Sequence, residues 1–121
     1  MNPNEASLPW REYMDREIQT KALSNIQFRQ VINGCLQGVK LVLDETGRPY
    51  FLRAYVRRTD DGWEENVVHL QMQFNSIEER DAVWNRAGDV VARCVRSGLK
   101  ETAIDAERRE IENILCAVRS T

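Results

Sequence analysis

Residues 50–58, YFLRAYVRR, and residues 66–74, NVVHLQMQF, decide the fold class of this chain. Both stretches alternate between apolar and polar side chains, which is the two-residue period of a β-strand with one buried face. The sequence DDG at residues 60–62 predicts a turn between them. The same period extends back over residues 39–43, VKLVL, which a turn at residues 44–49 separates from the first stretch. The sequence therefore predicts an antiparallel meander of three or four strands.

Apolar residues recur at helical spacing on both sides of this meander. Residues 9–23 predict an amphipathic helix. A second helix is predicted to begin at the capping box SIEE of residues 76–79 and to end at Gly98. Gly88, in the interior of that helix, indicates close packing by a neighbour. A last helix is predicted from Thr102 onward.

Residues 25–37 fit two different structures. Apolar residues recur there at helical intervals, and Gly38 would end such a helix. The dipeptide Asn33-Gly34, however, is a strong signal for a hairpin turn between two apolar runs. The helical pattern accounts for more positions, so the helix is favoured and the hairpin stays open as the alternative.

Length and composition indicate one globular domain, residues 1–121, with residues 1–6 as a flexible tail and Ser7 as the first helix cap. The chain is 42% hydrophobic and 30% charged, and its net charge of -2 argues against a polyanion-coating protein. No stretch approaches the roughly 18 apolar residues of a membrane span. The first residues lack the order of a signal peptide, so we expect a cytoplasmic protein without membrane contact. The predicted fold class is α+β, with one face of an antiparallel sheet covered by the N- and C-terminal helices.

Alternation divides the predicted sheet into two faces. The apolar face, predicted as core, contains Leu41, Leu43, Leu52, Ala54, Val56, Val68, Leu70, Met72 and Phe74. The opposite face carries aromatic and basic residues, namely Phe51, Arg53, Tyr55, Arg57 and His69. These five residues are the predicted partner contacts, because Tyr, Phe and Arg are enriched at protein interfaces.

Two other interpretations of this polar face stay open. Antiparallel sheets often leave one polar face in water, with no partner at all. Alternatively, Phe51 and Tyr55 stack on the bases of single-stranded nucleic acid or a nucleotide, while Arg53 and Arg57 hold phosphate. The net charge of -2 disfavours nucleic acid as the partner.

No catalytic or metal-binding pattern occurs in the sequence. His69 is the only histidine, and Cys35, Cys94 and Cys116 are an odd and widely spaced set. That spacing disfavours a zinc site and a disulfide framework, and it fits a reducing compartment. The cysteines lie on or beside predicted apolar faces, where a buried thiol is inert. We therefore expect no enzymatic activity, no cofactor and no metal.

The last predicted helix carries an apolar stripe that two charged residues interrupt. Packing of this stripe on the domain is the simpler explanation. The alternative is self-association, in which the two charged residues pair between subunits. The predicted oligomer interface consists of Ile104, Glu107, Arg108, Ile111, Leu115 and Val118.

Taken together, these patterns favour a non-enzymatic protein-binding module. It would act as an inhibitor, adaptor or regulator through surface contacts, and as a homodimer. Nucleic-acid or nucleotide binding on the aromatic and arginine face is the alternative function.

Overall fold

A computed structural model describes residues 8–121, so the predicted tail at residues 1–6 and the predicted cap at Ser7 lie outside the described residues. The helices are α1 (Arg16–Ser24), α2 (Ile26–Asp44), α3 (Ile77–Lys100) and α4 (Asp105–Glu112). The strands are β1 (Tyr50–Arg58), β2 (Glu64–Met72) and β3 (Ile114–Ser120). The described part of the chain is therefore α+β, with four helices and one three-stranded sheet.

The sheet is mixed, so the predicted purely antiparallel meander is wrong. β1 and β2 pair antiparallel, with Tyr50 opposite Met72, as the alternating stretches predict. β3 pairs with β2 in parallel, with Asn66 opposite Ile114. Parallel neighbours need a crossover connection, which α3 and α4 supply. The strand order β1-β2-β3 leaves β2 in the centre.

Helix α2 decides two sequence predictions at once. It covers residues 25–37 almost completely, so the favoured helix is confirmed and the hairpin is wrong. It also includes residues 39–43, which makes the predicted strand there wrong. The run VKLVL fits a two-residue period, but it also places Val39, Val42 and Leu43 on one helical face, and all three are buried. Because the helix is already formed before this run, extending it costs less than ending it.

The predicted last helix is wrong in its second half. Helix α4 ends at Glu112, and Leu115 and Val118 lie on β3. Residues 114–120 read as helical because a parallel strand with two half-buried faces does not alternate strictly between apolar and polar residues. The predicted apolar stripe therefore does not exist as one helical face.

The first predicted helix is broken at Met14 and Asp15. A short 3-10 helix, Arg11–Tyr13, comes before the break, and α1 follows it. Met14 forms a parallel bridge with Ala54, and the Asp15 amide donates to the Ala54 carbonyl at 2.9 Å. These residues therefore occupy the outer edge of β1.

The predicted apolar face of β1 and β2 is confirmed. Buried residues of these strands form one apolar cluster with residues of α1, α2 and α3; the strand members are Leu52, Ala54, Val68, Leu70 and Met72. Val56 and Phe74 pack against this cluster and are partly buried. Leu41 is the exception, being 59% exposed, because it lies on the outward side of α2.

Glycines set the contact between α2 and α3, which we call the α2–α3 seam. A Cβ built on Gly38 would lie 2.3 Å from Cγ1 of Val90, and one built on Gly98 would lie 2.2 Å from Cγ2 of Val31. Neither glycine ends its helix as predicted; each leaves room for a side chain of the other helix. Gly88 also differs from expectation, since nothing lies within 4 Å of a Cβ built there.

A polar cluster ties α1, β2 and α4 together. The Lys21 ammonium group donates to Glu64 Oε2 at 3.2 Å, to Asn66 Oδ1 at 2.9 Å and to Glu110 Oε2 at 2.7 Å. Asn66 is buried and donates to the Glu110 carbonyl at 2.9 Å. We call Lys21, Glu64, Asn66 and Glu110 the polar junction. It holds the end of α4 beside the start of β2, so the chain enters β3 in the parallel direction.

Candidate functional site

The five predicted contact residues lie on one side of the sheet. Paired residues on neighbouring strands share a face, so the register assigns residues of all three strands to this side. We call it the outer sheet face; it contains Phe51, Arg53, Tyr55, Arg57, Glu65, Val67, His69, Gln71, Leu115, Ala117 and Arg119. The members on β3 could not be predicted, because that segment was interpreted as a helix.

Three aromatic rings meet at the centre of the outer sheet face. The ring centroid of His69 lies 6.0 Å from that of Phe51, edge to face, and 5.8 Å from that of Tyr55. The Tyr55 hydroxyl is 3.3 Å from Nδ1 of His69, and the Gln71 side-chain oxygen is 3.3 Å from Nε2. The imidazole is therefore held through both of its nitrogens. Phe51 is 50% exposed and presents the open apolar surface of this cluster.

Both predicted contact arginines already have acidic partners in the same chain. Arg53 on β1 forms an ion pair with Asp15, the residue that follows the edge bridge. Arg57 donates to Glu65, its cross-strand neighbour, at 3.1 Å. Each ion pair offsets the charge of its guanidinium group and leaves fewer N–H donors for a phosphate group. The structure thus brings the aromatic members together, and it neutralises the arginines beside them.

The outer sheet face becomes apolar toward β3. Val67 points to this side and is nevertheless fully buried, with Tyr55 and Leu115 as its register neighbours on the two flanking strands. Leu115 and Ala117 are half-buried. No strand among residues 8–121 pairs with the outer edge of β3, whereas Met14 and Asp15 occupy that of β1. β3 is therefore the open edge of the described sheet.

The predicted oligomer interface is dispersed over the structure. Ile104 is 60% exposed and precedes α4, whereas Ile111 is fully buried in the apolar cluster. Leu115 and Val118 lie on opposite faces of β3. Glu107 lies in the first turn of α4. These residues do not form one continuous surface.

Arg108 has a structural contact that explains why it interrupts the predicted stripe. Its guanidinium group donates to the carbonyl oxygens of Leu99 at 2.6 Å and of Thr102 at 2.9 Å. These carbonyls lie at the end of α3, where helices leave acceptors without partners. The side chain is therefore engaged within its own subunit and is poorly placed to pair with Glu107 of another copy.

The three cysteines differ strongly in their environments. Cys35 is fully buried, whereas Cys94 is half-buried. Burial raises the pKa of Cys116 to about 11. A hydrogen bond from the Cys35 thiol, together with the charge of Arg93, lowers the pKa of Cys94 to about 7, and the same hydrogen bond raises the pKa of Cys35 well above its usual value. The sequence gives no sign of this difference between the cysteines, because the environment of Cys94 depends on residues that are distant in sequence.

Residues 8–121 contain no cluster of His, Cys, Asp and Glu side chains arranged to hold a metal ion. Over the same residues, no helix has the length and apolar character needed to cross a membrane. No protein-family model, curated protein or solved structure matches the chain significantly.

Proposed function

We propose that the chain is a non-enzymatic protein-binding module, acting in the cytoplasm as an inhibitor, adaptor or regulator. In this proposal the helices cover one face of the sheet, and the partner contacts the outer sheet face. The observation that supports it most is the ring cluster of Phe51, Tyr55 and His69, in which a hydrogen bond joins Tyr55 to His69 and Phe51 packs against the imidazole. Aromatic side chains ordered before binding lose little entropy at an interface and bury a large apolar area there.

The arginines favour a protein partner over nucleic acid. Arg53 and Arg57 are each ion-paired within the chain, and the net charge is -2. Nucleic-acid affinity comes largely from cations that are free to replace the counterions of phosphate. Nucleic-acid or nucleotide binding on this face is thus the less supported alternative. It predicts that a fluorescein-labelled oligo-dT binds at low salt and dissociates steeply as salt is raised.

We also propose that the chain forms a homodimer, with a second copy at β3. The outer edge of β1 is occupied by Met14 and Asp15, so β3 is the edge available for strand pairing. Two β3 strands related by a two-fold axis would pair antiparallel and join two sheets into one. Ala117, at the middle of β3, would then lie near the axis. Of the residues predicted from the helical stripe, this interface would use only Leu115 and Val118.

Alanine substitution on the outer sheet face tests the binding function. Phe51→Ala combined with Tyr55→Ala removes two rings, and Trp84→Ala on α3 is the matched control, because Trp84 is 49% exposed and Phe51 is 50% exposed. Each folded protein is used as bait, and captured proteins are quantified by mass spectrometry. We expect at least one protein to be captured equally by the wild type and by the Trp84 variant. The double variant should capture about tenfold less of it. Identical captures by all three baits would contradict the proposal.

Sedimentation velocity tests the homodimer separately. Ala117→Lys would place two like charges near the two-fold axis, and we expect it to convert the dimer into a monomer. Asn85→Lys, at an exposed position of α3, is the control of equal charge and should leave the dimer intact. A monomeric wild type at micromolar concentration would exclude the homodimer. It would not bear on the outer sheet face, which the capture experiment tests.

A further inference from the structure

The α2–α3 seam brings two thiols together, which the separation of Cys35 and Cys94 in sequence does not suggest. The Cys94 sulfur lies against the backbone of α2, since a Cβ built on Gly34 would be 3.3 Å from it. Gly34 directly precedes Cys35, so the missing side chain leaves space for the Cys94 sulfur beside its neighbour. The two side chains are close enough that each shifts the pKa of the other, with the pKa of Cys94 lowered and that of Cys35 raised.

Only one of these thiols is accessible from solvent. A groove of about 500 Å3 runs between α2 and α3, and Cys94 lines it together with Gly34, Arg93 and Ser97. Cys35 is fully buried and is not part of the groove lining. A small reagent can therefore enter the groove and meet Cys94 first, with Cys35 directly behind it.

We propose that Cys94 and Cys35 form a peroxide-sensitive dithiol that closes to a disulfide between α2 and α3. Cys94 is the attacking thiol because it is accessible, and the positive charge of Arg93 and the hydrogen bond from Cys35 favour its thiolate. Cys35 is the resolving thiol because it directly follows Gly34, against which the Cys94 sulfur lies. Cys116 takes no part, since it does not line the groove and burial disfavours its thiolate.

The oxidant is a hydroperoxide, and the disulfide forms in two steps. In the first step the Cys94 thiolate attacks one peroxide oxygen: an S–O bond forms, the O–O bond breaks, and the departing alkoxide or hydroxide takes a proton from solvent. Cys94 is then a sulfenic acid. In the second step the Cys35 sulfur attacks the Cys94 sulfur: the S–S bond forms, the S–O bond breaks, and hydroxide leaves as water with the Cys35 proton. Two thiols are oxidised and one peroxide is reduced.

Peptide mapping of the oxidised full-length chain tests the proposal. The reduced protein is treated with hydrogen peroxide near pH 7.5, the remaining free thiols are alkylated in denaturant, and peptides are identified by mass spectrometry. We expect two of the three thiols to disappear, and a linked peptide pair to join Cys35 and Cys94 within one chain. Cys94 should react at least tenfold faster than Cys116.

Three serine variants separate the roles of the cysteines. Cys94→Ser should abolish thiol loss, whereas Cys35→Ser should stop the reaction at a sulfenic acid that dimedone traps. Cys116→Ser is the matched control and should form the same disulfide as the wild type. Mapping of the wild type alone decides the proposal if the buried Cys35→Ser substitution prevents folding. A disulfide to Cys116, a disulfide between chains, or oxidation of Cys94 with Cys35 still free would each overturn it.

Discussion

The α2–α3 seam and the polar junction join helices to the rest of the molecule in opposite ways. At the seam, glycines bring two helices so close that an added methyl group has no room at Gly38 or Gly98. At the polar junction, Lys21 and Asn66 join three elements through hydrogen bonds and ion pairs. At the seam, the space between the helices limits which side chains fit. At the polar junction, each polar atom needs a hydrogen-bond partner. Substitutions that add volume should therefore destabilise the protein most at the seam, and substitutions that remove polar groups should do so most at the polar junction.

The largest effect is expected at the polar junction. Asn66→Leu keeps the number and branching of the side-chain heavy atoms, but it leaves the Glu110 carbonyl without its side-chain donor and removes an acceptor from Lys21. We expect the free energy of unfolding to fall by about 3 kcal/mol, because polar groups lose partners in a buried site. Urea denaturation measures this loss.

A double-mutant cycle identifies the cause of the stability loss in Asn66→Leu. If polar matching is responsible, Asn66→Leu combined with Lys21→Met should cost clearly less than the sum of the two single substitutions. Additive losses would mean that Asn66 and Lys21 stabilise the protein independently, and the description of a shared junction would be wrong.

Gly98→Ala tests the seam, where volume is limiting. The new methyl group would meet the buried side chain of Val31, so we expect a loss of about 2 kcal/mol despite the better helix propensity of alanine. In the Val31→Ala background the same substitution should cost much less, because the opposing methyl groups are gone. Equal costs in both backgrounds, measured by urea denaturation, would show that the two helices do not touch at this point.

Gly88→Ala should have a smaller effect of opposite sign. Gly88 lies on the same helix as Gly98, but nothing lies within 4 Å of a Cβ built there. Alanine in a helix interior is then favoured by about 0.5–1 kcal/mol, and the midpoint of thermal unfolding should rise. A lower midpoint would indicate a contact at Gly88 with a partner or a second copy of the chain.

The smallest expected effect is a pH dependence confined to the polar junction. The hydrogen bond and the charge of Lys21 lower the pKa of Glu64 below its usual 4.5. A lowered folded-state pKa stabilises the protein above pH 4.5, and the stabilisation is lost as the pH falls through the folded-state value. Glu64→Gln should thus destabilise at pH 7 by under about 1 kcal/mol, because Glu64 is partly exposed and water screens the pair.

Denaturation at several pH values checks this prediction. The difference between Glu64→Gln and the wild type should shrink as the pH falls below 4.5. The cost of Gly98→Ala should not change over the same range, because no titratable group takes part in it. A constant difference for Glu64→Gln would show that the ion pair does not form in solution.

Local patterns predicted what local interactions determine. The two alternating stretches became β1 and β2, and the predicted cap formed at Ser76, whose hydroxyl accepts from the Glu79 amide at 3.1 Å. The Glu79 carboxylate accepts from the Asn75 amide, so the second bond of a capping box is shifted by one residue. Residues 39–43 were misassigned because five residues satisfy both periods, and only the preceding helix decides between them. β3 was missed because its partner strand lies far away in sequence and its own residues do not alternate strictly.

The candidate site was only partly predictable for the same reason. Alternation alone placed Phe51, Tyr55 and His69 on one face, and the structure has them in contact. The ion pair of Arg53 with Asp15 depends on the break before α1, which no local pattern indicates. Contact between Cys35 and Cys94 depends on how two helices pack, which sequence spacing does not report.

The crossover that makes β3 parallel also affects the order in which the strands pair during folding. The β1–β2 hairpin closes through one short turn, a process of microseconds in peptides. β3 pairs with β2 only after α3 and α4 have spanned the intervening residues, so its loop-closure entropy is lost late. We therefore expect the amide protons of β3 to gain protection later than those of the hairpin when hydrogen exchange is followed during refolding. The central strand β2 would then be paired with β1 before it pairs with β3.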